Sequence, residues 1–133
     1  MIELTHRLLT LCNQYAAKVS IMFEVGEYWA MKQAVDEGSL YLDYSPSQLI
    51  EEQIQYAVGC GHNVQLHLHP WWTGATFEGN SWEQCPEYLR ITDLPSGIGC
   101  ENDRFSIVGA LYQGKHTLEA ITQPLCPDYV CLV

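Results

Sequence analysis

From Asn63 to His69 the chain reads N-V-Q-L-H-L-H, set between the glycine turn Gly59-Cys60-Gly61 and Pro70. Apolar and polar residues alternate with the period of a β-strand, and Pro70 ends the run because it cannot donate to a central ladder. Val64, Leu66 and Leu68 therefore share one face, and Asn63, Gln65, His67 and His69 share the other. Helical patterns flank this segment, and a strand between two helices of an α/β fold is normally covered on both faces. A polar face in that setting must line a pocket or the inside of a barrel. No other feature restricts the fold as strongly.

The rest of the chain supplies the neighbours. Thr5 is expected to cap a first helix, with Leu4, Leu8, Leu11, Cys12 and Tyr15 forming one apolar stripe. Lys18 to Val25 (KVSIMFEV) is short, β-branched and aromatic, and predicts a strand. A second helix is expected from Gly26 or Glu27 to Gly38, where glycine suits the C-terminus. The third helix has the clearest start, with Ser45 as N-cap, Pro46 in the first turn and Gln48 completing a capping box. It runs through Ile50, Ile54 and Ala57 to the glycine turn. Trp71 to Cys100 is rich in Gly, Pro, Ser and aromatic residues without a period, and so long an irregular stretch in a compact domain is usually functional. Phe105, Val108, Leu111 or Tyr112, Lys115, Leu118 and Ile121 mark a last helix, with Gly114 as its weak point and Pro124 and Pro127 beyond it. Tyr129 to Val133 (YVCLV) predicts a further strand.

Strands alternating with helices imply an α/β fold with parallel strands flanked by helices. The chain opens on a helix and closes on an apolar strand, an edge that a crossover helix would ordinarily protect. Residues 1–133 are therefore expected to form a single incomplete domain, a piece of a larger fold, and pairing of copies as a homo-oligomer would cover the bare edges.

Composition narrows the class. The 133 residues suffice for one domain, and 47% apolar with 17% charged residues is a globular balance. Acidic residues outnumber basic ones 16 to 6, a net charge of -10. That excludes nonspecific nucleic-acid binding and a basic membrane-surface role, since both need a positive field. No apolar run approaches the roughly 20 residues of a spanning helix. Leu8 to Cys12 is too short for a signal core and Glu3 spoils a positive leader, so the start is expected to be cytoplasmic or created by truncation. The six cysteines, at 12, 60, 85, 100, 126 and 131, contain no C-x-x-C spacing. They read as buried reduced thiols, although Cys85 and Cys100 flank a loop and could pair in an oxidising compartment.

His67 and His69 are the candidate metal ligands. Two imidazoles at i and i+2 on one strand face, at its C-terminal end, can share a divalent ion, and neutral imidazole suits zinc at roughly 2.0–2.1 Å. Taken alone, His-x-His is more often a solvated strand face. Glu24 falls on one face of the first strand with Ser20 and Met22. If the strands are parallel neighbours, Glu24 approaches both histidines as third ligand or catalytic base; otherwise it is a carboxylate at the positive end of the next helix. Glu27 reads as such a helix-start carboxylate, and Asp43, Glu78 and Glu83 lie in or beside loops. Trp71 and Trp72 could stack on a sugar ring as substrate-binding residues, or plug the barrel mouth. Trp29 reads as core, His62 as structural, and His6 and His116 as solvent-facing.

The segment Gly61-His62-Asn63-Val64-Gln65-Leu66-His67-Leu68-His69-Pro70 resembles the second motif of the polysaccharide deacetylase (NodB-homology) family, whose usual form is G-H-E-hydrophobic-x-x-H-(S/T)-x-x-H-P. Val19-Ser20-Ile21-Met22-Phe23 is similar to that family's V-T-F-F strand, and Gly114-Lys115-His116-Thr117-Leu118-Glu119 resembles a G-K-x-x-L-E helix of some members. The resemblance implies a partial (β/α) barrel, one divalent metal ion such as zinc, and removal of acetyl groups from an N-acetylated glycan. It implies metal ligation by His67 and His69, which here are one residue apart where the family has three between. The family's paired aspartates belong to a strand before the first helix, where Met1 to Leu4 leaves no room. Its later arginine and Leu-His motifs should follow a strand like Tyr129 to Val133. The resemblance thus implies a fragmentary member, inactive as an isolated chain, with a non-catalytic metal- or glycan-binding remnant as the alternative.

Overall fold

The computed structural model describes residues 2–128. The first helix, α1, spans Ile2–Gln14 and leads to strand β1, Ser20–Glu24. Helices α2 (Val25–Asp36) and α3 (Pro46–Gly59) follow, then strand β2, Asn63–His67. The irregular segment contains 3-10 turns at Pro70–Trp72 and Ile91–Asp93 and a hairpin of β3 (Thr76–Glu78) with β4 (Ser81–Glu83). Helix α4, Ile107–Thr122, closes the described chain. The predicted strand at 129–133 lies outside the described residues.

The architecture is mixed α/β. Strands β1 and β2 pair in parallel, with Ser20 opposite Asn63, Phe23 opposite Leu66 and Glu24 opposite His67. A parallel pair needs a crossover, and α2 with α3 supplies it. One face of the pair carries Phe23 and Val64 into a core shared with Leu9, Val25, Tyr28, Trp29, Ile54, Ala57, Leu118 and Ile121. The other face carries Ser20, Met22 and Glu24 beside Asn63, Gln65 and His67, because strand side chains alternate. That polar face is not covered at its start, where Ser20, Met22 and Asn63 are exposed. No closed barrel is formed among the described residues. No helix among them is long and apolar enough to cross a membrane.

Local chemistry explains the element ends. Ser45 Oγ accepts the Gln48 N–H at 3.3 Å, with Pro46 in the first turn, as expected of a capped α3. Ser106 caps α4 by accepting the Gly109 N–H at 3.0 Å, and is itself fully buried. Tyr28 Oη donates to Glu51 Oε1 at 2.6 Å and ties α2 to α3; burial, then that acceptor and its charge, push the phenol well above its usual range.

Four expectations about the helices are corrected. Thr5 lies inside α1, which already runs from Ile2, so it is not the cap. The apolar stripe of α1 does not face the core: Leu4 and Tyr15 are 69% and 78% exposed, Leu8 and Leu11 are also exposed, and Leu9 is fully buried instead. Helix spacing identifies a face without saying which neighbour it meets, and α1 meets Tyr56 of α3 through His6 and Asn13, on the side that carries Leu9. Helix α2 starts at Val25 and ends at Asp36, with Gly38 two residues beyond at φ +74°. Gly114 is a close-contact position rather than a weak point, because a Cβ there would stand 3.0 Å from Leu66 Cδ1 and 3.3 Å from Val25 Cγ1. Cys12, Cys60, Cys85, Cys100 and Cys126 are all free thiols; Cys100 is exposed and the others are partly buried, so Cys85 and Cys100 are not paired.

Candidate metal centre

The parallel register places Glu24 directly beside His67 at the C-terminal end of the strand pair. Past His67 the backbone stays extended to His69 before Pro70 opens the 3-10 turn, so His69 returns to the same face two residues on. Glu24, His67 and His69 converge there, and each can offer a ligand atom within 4.8 Å of the others, a grouping able to hold a metal ion. Their side chains are 16%, 42% and 40% exposed, so the carboxylate is sheltered while the rings remain reachable.

The donor atoms have distinct surroundings. His67 Nε2 and His69 Nε2 lie 3.3 Å apart. Adjacent nitrogens on a tetrahedral ion at 2.0–2.1 Å are separated by about 3.4 Å, so the ring spacing fits one shared ion. His69 Nδ1 lies 2.8 Å from Glu24 Oε2, whereas His67 Nε2 is 4.0 Å from that oxygen. With its proton on Nδ1, His69 donates to Glu24 and presents Nε2 outward, the arrangement that fixes a ligating imidazole's tautomer and orientation. The Glu24 carboxylate also accepts the His69 backbone N–H at 3.1 and 3.0 Å and the Gly26 N–H at 3.0 Å. Glu24 thus caps α2 and at the same time reaches the histidines.

Close packing holds this geometry. A Cβ on Gly26 would stand 2.9 Å from Trp72 Cβ and 3.0 Å from Glu24 Oε1, so only glycine lets the carboxylate lie over the start of α2. Trp71 stacks on the His69 ring with centroids 4.2 Å apart and planes 22° apart. Trp72 packs edge-on against Trp82 at 5.5 Å. Trp71 lines an open cleft of about 470 Å³ together with His67, His69, Pro70, Arg90 and flanking aliphatic side chains, and Trp72 is not among its lining residues.

Glu27 is a helix-start carboxylate of α2, as the sequence suggests, and stands outside the grouping of Glu24, His67 and His69, though near enough to feel the charge of Glu24 and His69. It is half-buried in the first turn of α2; burial and, second, the charge of Glu24 raise its pKa, while His69 opposes them. The signal was available: Glu24 and Glu27 are three apart, and i, i+3 residues are neighbours at a helix start. Arg90 had no such signal, since it lies in the irregular segment and reaches the cleft only through tertiary folding. Trp29 is core, His62 is buried with Nδ1 3.5 Å from the Val19 N–H, and His6 and His116 are exposed. Asp43, Glu78 and Glu83 are no part of the cluster.

No protein-family model matches this chain, and no curated protein or solved structure shows significant similarity to it.

Proposed function

We propose that the chain carries a divalent-metal centre of the polysaccharide-deacetylase kind, binding zinc through His67 and His69 Nε2, whose chemistry is hydrolysis of an N-acetyl amide on a carbohydrate. The observation that carries this reading is the 3.3 Å separation of the two Nε2 atoms with Glu24 locked onto the far side of His69. The parallel pair with its crossover helices is read as part of a (β/α) barrel, where sites collect at the C-terminal ends of strands.

Each residue then has a role. Glu24 faces three donors, the Gly26 N–H, the His69 N–H shared between its two oxygens, and His69 Nδ1, and we assign it to orienting His69. Glu27, one turn along, is the carboxylate we assign to accepting a proton. Trp71 holds the His69 ring from one side and offers its indole to a sugar face. A bound divalent ion supplies Lewis-acid polarisation of an acyl carbonyl and lowers the pKa of water.

A second reading, metal and glycan binding without turnover, is favoured by the engagement of Glu24 with His69. Catalytic zinc sites ordinarily use three protein ligands, and two are committed here. We expect turnover by the isolated chain to be weak or absent. Calorimetric titration with zinc, paired with an acetate-release assay on chitooligosaccharides, separates the readings. Uptake of one zinc per chain that is lost in His67→Ala supports the centre. Acetate release abolished by a chelator supports the hydrolase, and zinc uptake without acetate supports the binding remnant. A chain that takes up no zinc refutes both.

A further inference from the structure

The cleft beside the imidazoles differs in charge from the molecule around it. The chain has 16 acidic residues and a net charge of -10, yet no carboxylate lines the cleft. Its walls are the aliphatic side chains of Leu66, Leu68, Leu89, Ile91 and Leu111, and its one fully charged side chain is Arg90. Glu24 meets the histidines from the β1 side, and neither it nor Glu27 contributes to the lining.

Arg90 is held at its base and free at its tip. Its backbone N–H donates to Asp93 Oδ2 at 2.8 Å, and the Asp93 N–H donates to the Arg90 carbonyl at 2.9 Å, closing the 3-10 turn Ile91–Asp93. The Asp93 carboxylate is thus used on the backbone. Among the described residues no carboxylate forms an ion pair with the Arg90 guanidinium. A guanidinium is a planar fork matched to the oxygens of a carboxylate or phosphate.

We propose that Arg90 anchors an anionic group of the substrate, so that the site takes an acidic N-acylated sugar, bearing a carboxylate or a phosphate, in preference to a neutral one. The inference rests on the metal-centre and carbohydrate reading above and adds the substrate's charge. Trp71, stacked on His69 and lining the same cleft as Arg90, gives the sugar ring a flat surface.

The test uses the full chain loaded with zinc, and calorimetry with three probes: N-acetylglucosamine, N-acetylmuramate as the carboxylate, and N-acetylglucosamine 1-phosphate as the phosphate. One or both acidic sugars should bind about tenfold or more tightly than the neutral one, the effect of one charge-assisted hydrogen-bonded contact. Arg90→Gln should erase that preference, bringing the acidic sugars to the affinity of the neutral one, while Arg90→Lys should keep part of it. The better acidic probe identifies which anion the site takes. Arg90 is exposed, so these variants are expected to fold, and circular dichroism checks that they do. Equal affinities for all three sugars would overturn the proposal. So would a preference that survives Arg90→Gln, because the attraction would then belong to the bound ion. Zinc uptake with no sugar binding overturns this inference and the carbohydrate reading together, and failure to take up zinc overturns the metal centre itself.

Discussion

His69 Nδ1 lies 2.8 Å from Glu24 Oε2 while His69 Nε2 lies 3.3 Å from His67 Nε2, so one ring is bound at both of its nitrogens. An imidazole held this way keeps a single tautomer and a single orientation. The arrangement adds an orienting role for Glu24 to the ligand and base roles that the sequence leaves open. Glu24→Gln keeps the shape but weakens the acceptor, and zinc affinity should fall by about 10- to 100-fold, the usual cost of losing an outer-shell partner. His67→Ala should remove measurable uptake. Calorimetric titration of both variants checks this, and equal, complete loss in the two would make Glu24 a ligand instead.

Glu27 gives a pH signature in the metal-free protein. Burial and the charge of Glu24 raise its folded pKa above the ordinary 4.5. Protonation is therefore favoured by the folded state, and the stability it brings is complete below pH 4.5 and lost as pH rises through the raised value. Glu27→Gln removes the burden of the charged form. In chelator-treated protein the variant should melt higher than the parent at pH 7, with the gap closing as pH falls through the ordinary carboxylate value. A gap that widens toward low pH reverses the sign and defeats the assignment.

The start of α4 depends on a glycine. A Cβ on Gly109 would collide with the backbone carbonyl of Asp103 and crowd that of Cys100, and these carbonyls also accept from the Ser106 hydroxyl. Backbone cannot turn aside as a side chain can. Gly109→Ala should cost about 1–3 kcal/mol or more, the range for overpacking. Urea denaturation measures it, and an unchanged midpoint would show that the loop yields freely.

The orientation of α1 is open to a paired comparison. Leu9→Ala should lose about 2–5 kcal/mol, as for a fully buried leucine, whereas Leu8→Ala should fall within about 0.5 kcal/mol of the parent. The reverse order would mean that the apolar stripe at Leu4, Leu8, Leu11 and Tyr15 is the packed face after all.

Much of this molecule is set by local chemistry and was therefore legible in the chain. Ser45-Pro46 starts α3 because a hydroxyl and a missing N–H solve the end problem of any helix, and Val64-Gln65-Leu66-His67 forms a strand because alternation suits a half-buried pleat. The shared face of His67 and His69 follows from the same period. Tertiary structure decided what local spacing leaves open. Only the parallel register of β1 on β2 put Glu24 opposite His67, only packing chose Leu9 over its neighbours, and only the path of the irregular segment brought Arg90 to the cleft. Side-chain period is a property of a few consecutive residues, whereas register, helix rotation and loop course are fixed by contacts between residues far apart in sequence, and no short window of the chain contains both partners.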